Sequence, residues 1–271
     1  MSNPDFTRPT NLYKKQHDAI FCPHRWALVE CGTKAGITTV CLAWLLERAF
    51  GGQFNQGFWW IAPTSALSYA AFQSIKRGLT QGSFIPKEYP VPSINLPNGA
   101  TIVFRAGDNP MSLNGTDVFA AVIDGAAECK EESWHNLRST LTATEGPARI
   151  VGKVKGRNNW FYHLARRVEA GEVVNSHYAR LTTLDAVEAG IISRSEVEDA
   201  RQNLPEMIFR ELYMTEPCDE RLEKLADRRC DPRILSDEEL ALYANIDPST
   251  IDKVTNEALK QLMSDDRSSV I

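Results

Sequence analysis

The sequence predicts an α/β domain in which helices flank a mostly parallel β-sheet, and three observations lead to this prediction. A short apolar run, 26–30, passes through a glycine-containing loop into a segment of helical character, 40–50. A second apolar run, 58–62, has the length of a buried strand and stops at Pro63. The run 118–124 is apolar at both odd and even positions, as expected of a central strand that is covered on both faces.

The segments between these runs supply the connecting elements. Two glycines, Gly51 and Gly52, end the first helix, and a second helix is expected over 65–78. Residues 95–105 indicate a β-hairpin, because the turn sequence Pro97-Asn98-Gly99 is followed directly by an apolar strand.

The second half of the chain is richer in helices. A short strand, 148–151, precedes the basic loop GKVKGR. Further helices are expected at 160–170, 193–202 and 206–213. From about residue 217 the sequence becomes acidic and helix-rich, so we expect a domain over 1–217 and a small acidic helical tail over 218–271.

The composition favours an ordinary globular protein of the reducing cytosol. The chain has 271 residues, of which 43% are apolar and 24% are charged. It has no apolar run of about 18 residues and no apolar signal core at the N-terminus, so we expect neither a membrane span nor secretion. None of the six cysteines has CxxC spacing, so we expect reduced thiols and neither a metal site nor a disulfide framework.

The net charge of −5 does not suggest a strongly basic nucleic-acid-binding protein. Its distribution is uneven, because residues 218–271 carry 13 acidic and 8 basic side chains, which leaves 22 of each in residues 1–217. Contact with DNA would therefore have to come from local basic patches. The candidates are the pair Lys76-Arg77 and the set Lys153, Lys155 and Arg157.

The loop CGTKAGITT, 31–39, is typical of a phosphate-binding loop between a strand and a helix. In the usual pattern of such loops, Gly36 is the last glycine and Thr38 is the hydroxyl that binds a metal ion. The position between them is normally lysine, and here it is Ile37. The residues expected to line the phosphates are Gly32, Thr33, Lys34, Ala35, Gly36, Thr38 and Thr39.

A nucleotide-hydrolysing site needs backbone amides around the phosphates, a positive charge, a carboxylate for magnesium and a carboxylate that positions water. The small residues of the loop supply amides, and Asp124 at the end of a buried strand fits the magnesium carboxylate. The next residue normally positions the water, and here it is Gly125. Lys34, inside the loop, could supply the missing charge. The carboxylates that could replace the missing acid are Glu128, Glu131 and Glu132, which we expect to begin a surface helix.

Structural explanations stay open beside these functional ones. A G-x-x-x-G segment between a strand and a helix is often only a tight turn, and an aspartate at a strand end is often a helix cap. The basic side chains at Lys153, Lys155 and Arg157 are typical of a solvated loop unless they lie at the mouth of the same cleft.

Seven segments occur in order between about residues 10 and 217: LYKKQHDAI, ECGTKAGITT, FWWIAPT, LPNGATIVFRAGDNPMSLNG, VIDGAAECKEESW, VGKVKGRNNWFYHLARR and FRELYMTEP. Together they resemble the ATPase domain of the large terminase subunit of tailed bacteriophages, the motor that pumps DNA into the procapsid. Each motif is weak alone, but seven in order are specific.

The resemblance implies a RecA-like parallel sheet with flanking helices, and it implies ATP and Mg²⁺ as cofactors. Gln16 resembles the upstream glutamine that reads adenine, and Lys34 resembles a basic residue that many terminases carry within the loop. Asp124 matches the metal carboxylate, so the resemblance gives catalytic roles to Lys34 and Asp124. The loop 152–156 matches a coupling motif that senses nucleotide and moves DNA, with Lys153 in place of a polar asparagine.

The resemblance also implies the partners and location of the protein. It implies double-stranded DNA, a portal protein and a small terminase subunit as partners, with a homo-oligomeric ring of subunits and no membrane. The expected location is the cytoplasm of the bacterial host, at the procapsid portal. Family members continue into a nuclease domain, and no segment of that size is found here, so we do not expect this chain to cut DNA; whether a separate nuclease chain exists stays open.

Three departures from the family fall inside the site: Ile37 for the lysine, Gly125 for the glutamate and Asn114 for an arginine. They leave two hypotheses: an ATP-driven DNA translocase whose hydrolysis is impaired, and a non-hydrolysing terminase-like regulatory or binding subunit or decayed prophage fragment. A helicase is a weaker alternative, because IDGA lacks the acid pair that a helicase needs. From the sequence we expect Ile37→Lys with Gly125→Glu to raise ATPase activity steeply.

Overall fold

The computed structural model describes residues 12–80, 82 and 84–217. The eight α-helices within these residues are α1 Lys14–Ile20, α2 Ile37–Phe50, α3 Ser65–Gly78, α4 Glu131–Thr140, α5 Trp160–Glu169, α6 Thr183–Glu188, α7 Arg194–Asn203 and α8 Glu206–Met214. The eight strands described there are β1 Trp26–Cys31, β2 Gly57–Ala62, β3 Ile85–Lys87, β4 Ser93–Asn95, β5 Thr101–Ala106, β6 Val118–Asp124, β7 Ala148–Gly152 and β8 Ser176–Leu181.

All eight strands join one sheet in the order β3-β4-β5-β2-β6-β7-β1-β8. Neighbouring strands from β5 to β8 in this order are parallel, whereas β3 and β4 pair antiparallel at one edge. The carboxyl ends of β6, β7 and β1 therefore lie side by side at the same edge of the sheet. Ligands of open parallel sheets bind at such an edge.

Helices cover both faces of the sheet, as the apolar character of the central strands requires. On one face, α1, α2 and α3 pack in a core that includes Val40, Trp60 and Phe72. On the other face, α4 and α5 pack in a second core that includes Trp134 and Phe161. The central strands alternate between the two cores because successive side chains point to opposite faces.

Buried Arg149 on β7 fastens α1 to the sheet. Its side chain is 2% exposed, and it donates hydrogen bonds to the carbonyl oxygens of Ile20 at 2.6 Å and Cys22 at 2.9 Å. The guanidinium also lies 4.3 Å from the ring centroid of Trp44. Burial lowers the pKa of Arg149 to about 10. The last carbonyl of α1 thus accepts a hydrogen bond from a cation, which the helix dipole favours.

The sequence predictions agree with most of this architecture. The strands predicted at 26–30, 58–62, 118–124 and 148–151, the hairpin at 95–105 and the helix at 65–78 are confirmed, as are the three helices expected after residue 160. The α/β fold class with a mostly parallel sheet is confirmed as well.

Four elements were not predicted: α1, β3, β8 and α6. Strand β8, with the sequence SHYARL, lies at an edge and is mostly half-buried, so it lacks the continuous apolar run of a central strand. The predicted tail over 218–271 lies outside the described residues.

Expectations from the sequence also concerned the cysteines, metal sites and membrane spans of the chain. Cys22, Cys31, Cys41 and Cys129 are free thiols, and within the described ranges no three His, Cys, Asp or Glu side chains are grouped to hold a metal ion. None of the helices described between residues 12 and 217 is long and apolar enough to span a bilayer.

Candidate functional site

The candidate site lies at the carboxyl edge of the sheet, where β1, β6 and β7 end. The glycine loop follows β1 and leads into α2, so the N-terminus of α2 faces this edge. On β6, Asp124 pairs in register with Val151 of β7, and Glu30 of β1 pairs with Gly152. This arrangement brings together the glycine loop, Asp124 and the basic loop after β7, which are far apart in the sequence.

Thr38 and Asp124 meet at this edge. The Thr38 hydroxyl donates a 2.8 Å hydrogen bond to a carboxylate oxygen of Asp124. Burial raises the pKa of the Asp124 carboxyl above its usual value, and the hydrogen bond from Thr38 offsets part of that rise. A hydroxyl and a desolvated carboxylate fit Mg²⁺, which proteins commonly hold through one or two side chains together with substrate phosphates.

The backbone amides of the loop divide into two groups. Gly32 donates to the Leu181 carbonyl at 2.7 Å, Thr33 donates to the Leu212 carbonyl at 2.6 Å, and Ala35 donates within the loop to Gly32 at 3.3 Å. These three amides, which the sequence analysis assigned to phosphate, are therefore occupied in this conformation.

The second group comprises the amides at the start of α2, residues 36–39. They donate to no acceptor within the part of the chain that the structure describes. Unpaired amides of a first helical turn form a site for an anion. Thr38 and Thr39 are exposed there, so this first turn is where a phosphate fits best.

Two glycines of the loop are required by close contacts. Gly36 has φ 74°, and a Cβ on it would lie 2.5 Å from the side-chain nitrogen of Gln16. At Gly32, a Cβ would lie 2.7 Å from the Tyr213 carbonyl oxygen and 2.8 Å from the Thr183 nitrogen. Gly36 thus permits the left-handed entry into α2, whereas Gly32 lets α6 and α8 approach the loop.

Ile37 and Lys34 have different environments. Ile37 is 7% exposed and packs in the core beneath α2, so its side chain takes part in folding. Lys34 is exposed, has φ 58° and forms no ion pair with any described residue. Lys34 therefore remains a candidate cation for phosphate, although its side chain extends from the tip of the loop.

Both the backbone conformation and a neighbouring proline disfavour a side chain at position 125. Its φ is 82°, and a Cβ would lie 2.8 Å from Cγ and 3.0 Å from Cδ of Pro63. Any residue with a side chain would meet both a strained backbone and a rigid ring. The expectation that Ile37→Lys with Gly125→Glu raises ATPase activity steeply stays a prediction. This backbone argues against it, because Ile37 lies in the core and a side chain at position 125 would meet Pro63.

The three candidate replacement glutamates lie beyond the end of β6. Glu128 is exposed and lies 3.9 Å from the ammonium of Lys155. Glu131 and Glu132 occupy the first turn of α4, as expected, and both are exposed. Within the described residues, none of the three forms a hydrogen bond to Thr38 or Asp124.

Gln16, predicted to read adenine, braces the loop in this structure. Its side chain is 2% exposed and donates a 3.0 Å hydrogen bond to the Ala35 carbonyl. Tyr13 donates to the same carbonyl at 3.0 Å. The Oε1 of Gln16 is buried without a partner in the described residues. Reading adenine stays a prediction, and it would require that this buried oxygen become accessible.

The basic loop after β7 places its three predicted side chains in different settings. Lys153, Lys155 and Arg157 are all exposed. Lys155 lies near Glu128, whereas Lys153 and Arg157 have no ionic partner among residues 12–80, 82 and 84–217. The amide of Gly156 donates to the carboxylate of Glu211 on α8. Helix α8 thus contacts both the basic loop and the glycine loop.

Sequence reasoning missed the residues that clamp the glycine loop from outside. The Thr183 hydroxyl donates to the Thr33 carbonyl at 2.7 Å, and the Leu212 carbonyl accepts from the Thr33 amide. Tyr13 was also missed, although its spacing of three residues from Gln16 could have indicated a shared face. Thr183 and Leu212 carry no local signal, because only the fold brings them to the loop.

Solved structures with the same arrangement identify this fold. The ATPase domain of the large terminase of Thermus phage P74-26 superposes with a TM-score of 0.64 at 16% sequence identity, over 76% of this chain and 94% of that one. The chain has the fold of phage large terminase ATPase domains. The RecA-like architecture that the resemblance implied is therefore confirmed.

Two longer terminases share the fold over part of their length. The large terminase of a thermophilic bacteriophage, solved in complex with ADP, gives a TM-score of 0.60 at 15% identity. The HK97 bacteriophage large terminase gives 0.63 at 13% identity. These two superpositions cover 74% and 80% of this chain, but only 52% and 54% of the two terminases. The chain therefore spans about half the length of these two terminases. No protein-family model and no curated protein sequence matches the chain.

Proposed function

We propose that this chain is the ATP-binding part of a phage or prophage DNA-packaging motor, with the role of a terminase large subunit. The observation that carries the proposal is the hydrogen bond between Thr38 and Asp124 at the N-terminus of α2. A hydroxyl, a carboxylate and free helix amides are the groups that bind a magnesium nucleotide in this type of loop. The terminase fold supports the same interpretation.

In this proposal, Mg²⁺ is held by Thr38 and Asp124, and it neutralises charge on the nucleotide phosphates. The amides of residues 36–39 bind the phosphates directly. Double-stranded DNA is the substrate that moves, and its contacts include Lys155 and Arg157. The other partners are a portal protein, a small terminase subunit and further copies of this chain in a ring in the host cytoplasm.

Hydrolysis by this chain is slow in the proposal. A positioned base contributes about 10²–10⁴ in rate, and Gly125 supplies none. Ile37 also supplies no positive charge to the phosphates, and the loss of one preorganised donor lowers the rate by about 10²–10³. The two losses do not simply multiply, because groups of one site act together. Even the smaller of them would leave turnover far below that of a packaging motor.

A non-hydrolysing terminase-like binding subunit is the second candidate, and the backbone at Gly125 favours it. The left-handed conformation and the contact with Pro63 leave no space for a catalytic side chain. Such a subunit would bind ATP, change its affinity for DNA or a partner chain, and release the nucleotide unchanged. A decayed prophage fragment would share the inactivity but would have no selected affinity for nucleotide.

The test is a measurement of nucleotide binding and turnover on the purified chain. Calorimetry with ATP, with and without Mg²⁺, should show magnesium-dependent binding, and Asp124→Ala should abolish the magnesium dependence. Phosphate release with and without double-stranded DNA then separates the two candidates, with Asp124→Ala as the control for contaminating ATPase. Absence of magnesium-dependent ATP binding under all conditions would refute the proposal.

A further inference from the structure

The site lacks a positive charge where phosphate loops normally have one. The usual lysine belongs to the first turn of the helix after the loop, and Ile37 occupies that position with its side chain in the core. Free helix amides carry only partial charges, so they do not replace a full cation. Another basic side chain near the start of α2 would be needed to neutralise a triphosphate.

Lys153 directly follows β7, which lies between β6, the strand that carries Asp124, and β1, the strand that leads into the glycine loop. Val151 pairs with Asp124 on one side, and Gly152 pairs with Glu30 on the other. Lys153 is the next residue, so its backbone emerges between Asp124 and the start of the glycine loop.

The alternation of β7 places Lys153 on the face that α2 covers. Arg149 stacks on Trp44 of α2, and Val151 belongs to the core beneath the same helix. Lys153 directly follows the last residue of β7, so the two-residue period of the strand, extended by one residue, would put Lys153 on this face too. On β6, Val122 lies in that core, so the same period places Asp124 on the same face. Lys153, Asp124 and the first turn of α2 thus share one side of the sheet edge.

No neighbouring carboxylate forms an ion pair with Lys153 within the described residues, and its charge lowers the pKa of Cys31, the residue at which the glycine loop begins. The side chain is exposed. Burial raises the pKa of the Cys31 thiol, which ends β1 directly before the loop, and Asp124 raises it further, whereas Lys153 lowers it. By contrast, Lys155, two residues later, lies near Glu128.

We infer that Lys153 supplies to the nucleotide phosphates the positive charge that position 37 lacks. This inference rests on the nucleotide site of the proposed function and adds a binding residue to it. An ammonium binds phosphate as a compact point charge on a flexible stem, so a lysine from an adjacent strand end can serve a cradle formed by another loop. Lys153 is favoured over Lys34 because it is carried by the end of a central strand rather than by the exposed tip of the loop.

The test compares nucleotide affinities of the folded full chain and of single variants. We expect Lys153→Ala to weaken ATP binding by about tenfold to a hundredfold, ADP binding by less, and adenosine binding not at all, because the lost contact is to phosphate. Lys153→Arg should retain most of the ATP affinity. The matched control is Lys130→Ala, which removes an exposed lysine before α4 and should bind ATP like the unmodified chain.

Two results would overturn the inference while leaving the nucleotide site intact. One is ATP affinity that is unchanged by Lys153→Ala, whether or not Lys34→Ala lowers it. The other is a Lys153→Ala variant that loses affinity for DNA alone. If the unmodified chain binds no nucleotide, the proposed function itself fails and this inference fails with it. A thermal melt of each variant confirms that it is folded before affinities are compared.

Discussion

The Thr38 hydroxyl donates a hydrogen bond of 2.8 Å to the carboxylate of Asp124, across 86 residues of sequence. Thr38 belongs to the first turn of α2 and Asp124 ends β6, so the contact joins the helix after the glycine loop to a neighbouring part of the sheet edge. The two groups are thereby positioned to share one cation. The following predictions depend on this contact and on the residues around it.

Thr38→Ala should weaken ATP binding about tenfold in the presence of Mg²⁺ and leave magnesium-free binding nearly unchanged. The reason is that the variant removes one oxygen from the cation and spares the amides. Calorimetric titrations with and without Mg²⁺ measure both values. Thr142→Ala, an exposed threonine in the turn after α4, is the control. Equal losses with and without Mg²⁺ would contradict a metal role for Thr38.

Asp124→Asn should stabilise the nucleotide-free protein at neutral pH and not in acid. Burial raises the pKa of Asp124 in the folded state above its ordinary value of 3.8. The protonated carboxyl of Asp124 therefore contributes its full stability to the fold below the unfolded-state pKa. This contribution is lost as the pH rises through the folded-state pKa, because the buried carboxyl must then ionise. The melting temperatures of the two proteins, measured in EDTA, should coincide near pH ~3.5 and separate as the pH rises. An asparagine variant that is less stable at every pH would contradict this.

Gly125→Ala should destabilise the protein more than Gly190→Ala does. Both glycines have positive φ, 82° and 72°, but a Cβ on Gly190 would meet nothing within 4 Å. We expect a loss of about 1–2 kcal/mol at Gly190 from backbone strain. At Gly125 the contact with Pro63 adds roughly 1–3 kcal/mol. Urea unfolding measures the difference, and Pro63→Ala should recover part of the additional loss.

Restoring both family residues should fail to restore turnover. In Ile37→Lys with Gly125→Glu, the lysine must leave the core and the glutamate must displace Pro63. We expect phosphate release to stay at the level of the unmodified chain and the melting temperature to fall. A steep rise in turnover would show that the backbone at Gly125 adapts readily to a side chain.

Gln16→Ala should weaken ATP and GTP binding by the same factor and destabilise the fold by about 1 kcal/mol, the value of one buried hydrogen bond. The expectation follows from the bond between Gln16 and the Ala35 carbonyl. Tyr13→Phe, which removes the second bond to that carbonyl, is the matched comparison. Competition binding with both nucleotides provides the readout. A loss confined to ATP would show that Gln16 reads the base.

Lys155→Ala with Arg157→Ala should weaken binding of double-stranded DNA and lower the slope of log affinity against log salt by about 2, because two phosphate contacts are lost. Fluorescence anisotropy over a salt series measures the slope. Lys87→Ala, an exposed lysine on β3 near the other end of the sheet order, is the control. An unchanged slope would remove the basic loop from the DNA contacts.

The sequence by itself determined the local elements and the residues that could form a site. Alternation, apolar runs and turn chemistry predicted the strands at 26–30, 58–62 and 118–124, because these signals lie within a few neighbouring residues. The glycine loop between a strand and a helix singled out Thr38, and the strand end singled out Asp124. The edge strand β8 was missed because its exposed positions carry no continuous apolar signal.

Only the tertiary structure decided how these residues act on one another. Strand order and register bring Asp124, the loop and Lys153 to one edge, and neither is encoded in a local pattern. The packing of α1 against the glycine loop turns Gln16 into a brace, and the positive φ together with the contact with Pro63 favours glycine at position 125. The physical reason is that contacts between distant segments depend on the whole packed arrangement, whereas periodicity and turn preference depend only on neighbours along the chain.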